Sequence, residues 1–199
     1  MNPSVRKVVS LARRKGVLRP RDLAEIGIHR QYLRMAHEQG LVERIERGLY
    51  SVPGTMLSEP TLAEVAKRVP GGVICLISAL AFHHLTTQVP HSVDVTIGSK
   101  AHAPRIDFVD VRYYRESGQA LTEGVEVHDI GGVRVKVYNP AKTIADCFKY
   151  RSKVGLDVAI EALREGLRQR KATADTLTHY GRICRVERVM RPYLEALLA

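Results

Sequence analysis
The chain has 199 residues, with 31 Lys and Arg against 21 Asp and Glu, a formal net charge of +10. No apolar run approaches the roughly 18–20 residues of a membrane-spanning helix, and no signal-peptide pattern opens the sequence. The three cysteines, Cys75, Cys147 and Cys184, are scattered and form no C-x-x-C pair, which excludes a disulfide framework and predicts buried free thiols in a cytoplasmic protein.

A basic excess favours anionic partners without choosing among DNA, RNA, a membrane or an acidic protein. Its distribution says more. Up to Val52 there are eleven Lys and Arg against five Asp and Glu, so six of the ten excess charges lie in the first quarter of the chain.

Asn2 can cap and Pro3 can open a first helix that runs to Lys15, with Val5, Val8, Val9 and Ala12 as its inward stripe. Val17-Leu18 could add an edge strand. Pro20 then starts a short second helix, with Leu23, Ala24 and Ile26 as its apolar side, and Gly27 permits a sharp turn. A third helix is expected from about His29 to Gln39, with Leu33 and Ala36 inward and Arg30, Gln31, Arg34 and Glu38 on the opposite face. Gly40 ends it. Leu41 to Ile45 and Leu49 to Val52 read as two strands joined at Arg47-Gly48.

Helix, turn, basic helix and two-stranded wing is the order of a winged helix-turn-helix, whose Arg and Gln side chains can read guanine and adenine edges in the major groove. An outward Arg on a helix is by itself only a solvated face; the wing bases Arg44 and Arg47, placed to meet phosphates, add to the reading. Arg19, Arg21, His29, Arg30, Gln31, Arg34, Arg44 and Arg47 form the candidate DNA-binding set.

Pro53-Gly54 breaks the pattern, which divides the chain into a head, residues 1–53, and a larger part, residues 54–199. Thr55 to Glu59 reads as a linker and Pro60 as a helix start. Val73 to Ile77 is a short apolar run, and Ser78 to Leu85 reads as helix with Ser78 as its N-cap. Alternation at Val93, Val95 and Ile97, a run from Phe108 to Tyr114, and a hairpin of Val125 to Ile130 with Val133 to Val137 about Gly131-Gly132 predict a mostly antiparallel sheet of four or so strands within about residues 73–138. Asn139-Pro140 opens a helical tail, about 140–199. The fold class is therefore α+β.

Candidate chemistry is sparse. His83 and His84 are adjacent, so their rings point about a hundred degrees apart on a helix, and metal ligation wants a spacing of three or four; His91 and His102 supply no clear third ligand. One of the pair is expected to pack or bond within the core. No lysine has an acid two residues before it, as a restriction-type nuclease strand requires. Gly98-Ser99 could open a nucleotidyltransferase site, but Asp107 and Asp110 are three apart and would take opposite faces of a strand. Ser78 has no evident base. Lys142, Thr143 and Asp146 form a polar cluster that is either internal to a capped helix or a partner-binding element. No catalytic set, metal or cofactor is expected.

Three segments carry a resemblance. G-L-V-E-R-I-E-R-G-L-Y at Gly40–Tyr50, S-A-L-A-F-H-H-L at Ser78–Leu85 and N-P-A-K-T-I-A-D-C-F at Asn139–Phe148 resemble, in order and spacing, elements of the AbiEi family of antitoxin regulators. The resemblance implies an N-terminal winged helix-turn-helix and a C-terminal antitoxin domain. It implies a neighbouring nucleotidyltransferase-like toxin, counteracted without a stable complex in a type IV toxin–antitoxin system, and repression of the operon through inverted repeats in promoter DNA. Ser78, His83, Lys142, Thr143 and Asp146 lie on the two later motifs and are the candidate antitoxin residues. The other readings are a winged-helix transcription factor sensing a ligand in its larger part, and a DNA-tethered nuclease or nucleotidyltransferase.

Overall fold
The computed structural model describes residues 2–15, 18–46, 48–52, 59–90 and 92–198. Arg47, residues 53–58 and His91 lie outside the described residues, as does the expected division near Gly54; Glu59, read as the end of the linker, is the first residue of the next helix.

Three helices and a wing build the head: α1 (Pro3–Lys15), α2 (Pro20–Ala24), α3 (Gln31–Glu38), β1 (Glu43–Glu46) and β2 (Leu49–Ser51). Each boundary has a local cause. The Asn2 side chain accepts from the Ser4 amide at 2.8 Å, and Asp22 accepts from the Arg19 amide at 2.7 Å to close the start of α2. Gly27 and Gly40 take φ of +67° on either side of α3, a conformation that glycine adopts without strain. Val5, Val8, Ala12, Leu18, Leu23, Leu33, Ala36 and Val42 make the head core. Leu23 and Ile28 supply the apolar side at α2, whereas Ala24 and Ile26 are exposed, because the short helix stops before Ile26 can turn inward. Leu18 exchanges two backbone hydrogen bonds with Tyr50, at 2.7 and 2.9 Å, and so adds an edge to the wing as expected.

The rest forms a sheet with helices on both faces. In chain order come α4 (Glu59–Arg68), β3 (Val73–Ile74), α5 (Leu76–Phe82), β4 (Val93–Gly98), β5 (Val111–Glu116), α6 (Gln119–Thr122), β6 (Val125–Ile130) and β7 (Val133–Tyr138). Then follow α7 (Pro140–Lys149), α8 (Arg151–Val154), α9 (Leu156–Arg168), α10 (Ala174–Ile183) and α11 (Glu187–Leu198). The strand order is β5-β4-β3-β7-β6. This sheet is mixed rather than mostly antiparallel: β3–β4 and β6–β7 run antiparallel, but β4–β5 and β3–β7 run parallel. Alternation assigns a side chain to a face and says nothing of its neighbour's direction; the long 99–110 connection lets β5 return parallel to β4. The β6–β7 hairpin turns at Gly131-Gly132, both with positive φ, as expected.

One face of the sheet, with Ile74, Val93, Val95, Ile97, Val135 and Val137, packs on Leu62, Val65 and Val69 of α4. The other face meets α7, which also packs against α5, α9 and α10. The cysteines are free and buried, and burial pushes the Cys75 and Cys147 thiols up. No helix is long and apolar enough to cross a membrane among the described residues.

Candidate nucleic-acid interface and the buried polar face
Helix α3 buries Leu33 and Ala36 against the head core and leaves Arg30, Gln31, Arg34 and Glu38 exposed. Helical spacing puts Gln31, Arg34 and Glu38 together on the outer face, with Arg30 at its margin. The His29 ring Nδ1 accepts from the Gln31 amide at 3.3 Å, so His29 sits at the helix start. His37 Nδ1 lies 3.1 Å from the Val42 carbonyl and its ring meets Tyr50 edge-on, which ties the end of α3 to the wing. Arg44 is exposed on β1, opposite Tyr50, and Arg21 is exposed on α2. Arg47 lies outside the described residues.

Two features were missed from sequence. Arg34 Nε donates to Glu38 Oε1 at 2.8 Å; the spacing of four was the available signal. Arg19 lies over the Phe108 ring at 5.9 Å, and Arg68 of α4 lies over the same ring at 5.1 Å. Arg19 is thus held at the junction between the head and the 99–110 loop.

The candidate antitoxin residues lie inside the larger part. Lys142 is fully buried; its Nζ donates to Asp146 Oδ2 at 2.6 Å and sits 4.0 Å from the centre of the Tyr138 ring. Asp146 Oδ1 accepts from the Cys184 thiol at 3.2 Å. Burial pushes the Asp146 carboxyl up, and Lys142 opposes that shift. Thr143 Oγ1 donates to the Tyr138 carbonyl at 3.1 Å, which His83 Nε2 also reaches at 2.7 Å. His83 therefore bonds within the core, as expected of one of the pair, and burial holds its pKa below the ordinary histidine value. Asn139 caps α7 by accepting from the Lys142 amide at 2.8 Å, as expected. A side chain at Gly124 would meet Lys142 Cβ at 2.7 Å, so glycine lets the backbone close over the lysine.

Ser78 is not an N-cap. Cys75 holds that position, and Ser78 lies within α5, where its hydroxyl donates to the Ser92 carbonyl at 3.2 Å and accepts from the Asp94 amide at 2.9 Å. The helix begins at Leu76, two residues before Ser78, directly after β3. Asp107 and Asp110 lie in the 99–110 loop, before β5 begins at Val111.

A second buried cluster was also missed. Glu116 accepts from Lys149 at 2.6 and 2.7 Å and from the Tyr150 hydroxyl at 2.7 Å. Tyr114 stacks edge-on against Tyr150 and donates to Asp94 at 3.3 Å. Burial pushes the Asp94 carboxyl up to about 6, with Tyr114 pulling it down. A carboxyl raised in the fold contributes stability that is complete below its unfolded value and lost as pH rises through its folded value. The stability of the protein relative to an Asp94→Asn variant should therefore decline between about pH 4 and 6 and level off above. Denaturant unfolding at a series of pH values checks this; a difference that does not change with pH contradicts it.

These contacts hold the larger part together, and the buried groups offer a partner little surface. Among the described residues no group of three or more His, Cys, Asp or Glu could hold a metal ion.

Residues 6–53 match the model of a family described as transcriptional regulator, AbiEi antitoxin. No curated protein matches the chain. Among solved structures, the RV2827C protein from Mycobacterium tuberculosis is similar over 90% of this chain and 71% of its own, with 14% identity and a TM-score of 0.44. The matched residues run from α1 through the wing, so the similarity covers the head, whose three helices and two-stranded wing have the order of a winged helix-turn-helix.

Proposed function
We propose that this chain, with its AbiEi-type head, represses its own operon by binding inverted repeats in promoter DNA and counteracts a nucleotidyltransferase-like toxin encoded beside it. The exposed Gln31 and Arg34 on α3, with Arg30 at its N-cap, carry this reading, because a helix with basic and amide side chains outward is what direct reading of base edges requires. Arg44 and Arg47 of the wing, with Arg21 and His29, supply phosphate contacts that fix the register. Arg19 joins them at the junction with Phe108.

Residues 54–199 carry the antitoxin activity in this proposal. Ser78, His83, Lys142, Thr143 and Asp146 act there by shaping the fold, since their polar atoms are spent on one another and on the backbone. The type IV reading, neutralisation without a stable complex, needs no dedicated toxin groove. The chain needs no cofactor or metal and works in the cytoplasm.

Co-expression with the neighbouring gene, scored for growth, tests the antitoxin half. Full-length protein should restore growth, and so should an Arg34→Ala variant that no longer represses a promoter reporter. Failure of the wild-type chain to restore growth would refute it. Loss of rescue in a folded Arg34→Ala protein would refute the division of labour.

A further inference from the structure
We infer that Glu38 is a positioning residue that orients Arg34 for reading a single base, an inference that rests on DNA binding by α3. Glu38 takes the Nε of Arg34 at 2.8 Å, although the two side chains are 82% and 56% exposed. With Nε occupied, the two terminal nitrogens of the guanidinium are left at the far end of the side chain. A guanine offers O6 and N7 to such a pair of donors in the major groove.

The order of the pair argues against a role in helix stability. The macrodipole favours acids at the start of a helix and bases at its end, and an acid four residues before a base is the better pairing. Helix α3 has the reverse: no acid in its first turn, Arg34 at mid-helix and Glu38 at its last residue. An acid on a face that meets phosphates also repels DNA. A residue badly placed for both the helix dipole and the phosphates, which grips the arginine at the centre of the outer face, is explained by the order it imposes on that arginine. Glutamate can also read cytosine directly through its exocyclic amine, so the test separates the two roles.

Full-length wild type and the Glu38→Ala, Glu38→Gln and Arg34→Ala variants are each used to select from a random-sequence double-stranded DNA library. Affinity for an unselected duplex is measured alongside. The expected result is that Glu38→Ala flattens the preference at the same base position that Arg34→Ala flattens, by roughly tenfold. Its affinity for the unselected duplex should hold or rise, because an acid has gone. Glu38→Gln should retain part of the preference, since its amide oxygen can still accept from Nε. An unchanged profile in Glu38→Ala overturns the positioning role, and so does a change confined to a position that Arg34→Ala leaves intact. A wild-type chain that enriches no sequence overturns DNA reading by α3 itself, and this inference with it.

Discussion
Replacing Lys142 with alanine is expected to cost about 3–5 kcal/mol of folding stability, the usual result of removing one partner from a buried ion pair. Lys142 has no solvent exposure, and Asp146 is nearly as buried. Without the amine, Asp146 keeps only the Cys184 thiol as a side-chain partner among those described here. Removing the lysine stem also empties space beneath Gly124, beside Tyr138 and Tyr180. Replacing both charges at once, Lys142→Met with Asp146→Leu, should recover much of the loss, because burying neither charge avoids both desolvation penalties. Urea unfolding of the three proteins measures this. A Lys142→Ala protein within about 1 kcal/mol of wild type would contradict the account. Growth rescue by the single variant should fall with its stability and return in the double variant, as expected of a structural pair and not of a surface that touches a toxin.

Arg34→Ala is expected to weaken binding to the chain's own promoter roughly 10- to 100-fold, the effect of losing one bidentate base contact. The variant should melt like wild type, because Arg34 is exposed and its pair with Glu38 lies in solvent. The loss should be larger on promoter DNA than on unrelated DNA, since a base contact carries sequence information and a phosphate contact does not. Titrations of both duplexes at one fixed salt concentration check this. Equal losses on the two would assign Arg34 to a phosphate.

The head was legible because its signals are local. Pro20, Gly27 and Gly40 mark the helix boundaries, and the three-to-four spacing of Leu33 and Ala36 settles which side of α3 faces out. The capped start of α7 was legible for the same reason, since Asn139 and Pro140 are adjacent to the helix they begin. The sheet was less so. Val93-Asp94-Val95-Thr96-Ile97 reads as a strand with one wet face, yet all five residues are buried because α5 and α6 pack against this strand, Ser78 of α5 taking the Asp94 amide. Nothing in the sequence near Asp94 announces Tyr114, twenty residues on, or joins Glu116 to Lys149 and Tyr150. Contacts that depend on strand direction and on a helix laid across the sheet belong to the tertiary fold. The placement of Ser78 was misread for a related reason: serine is a common cap, but its hydroxyl here is engaged with β4 and the turn before it.

The central claim, that α3 reads DNA, is tested most directly by equilibrium binding of the full-length protein to the region upstream of its own gene. An unrelated duplex of equal length is the reference, at physiological salt. The account predicts at least about a thousandfold preference for the upstream region, within the usual span between specific and non-specific binding. It also predicts a protected footprint with two-fold repeats. Equal affinity for the two duplexes, with a steep salt dependence on both, would contradict it.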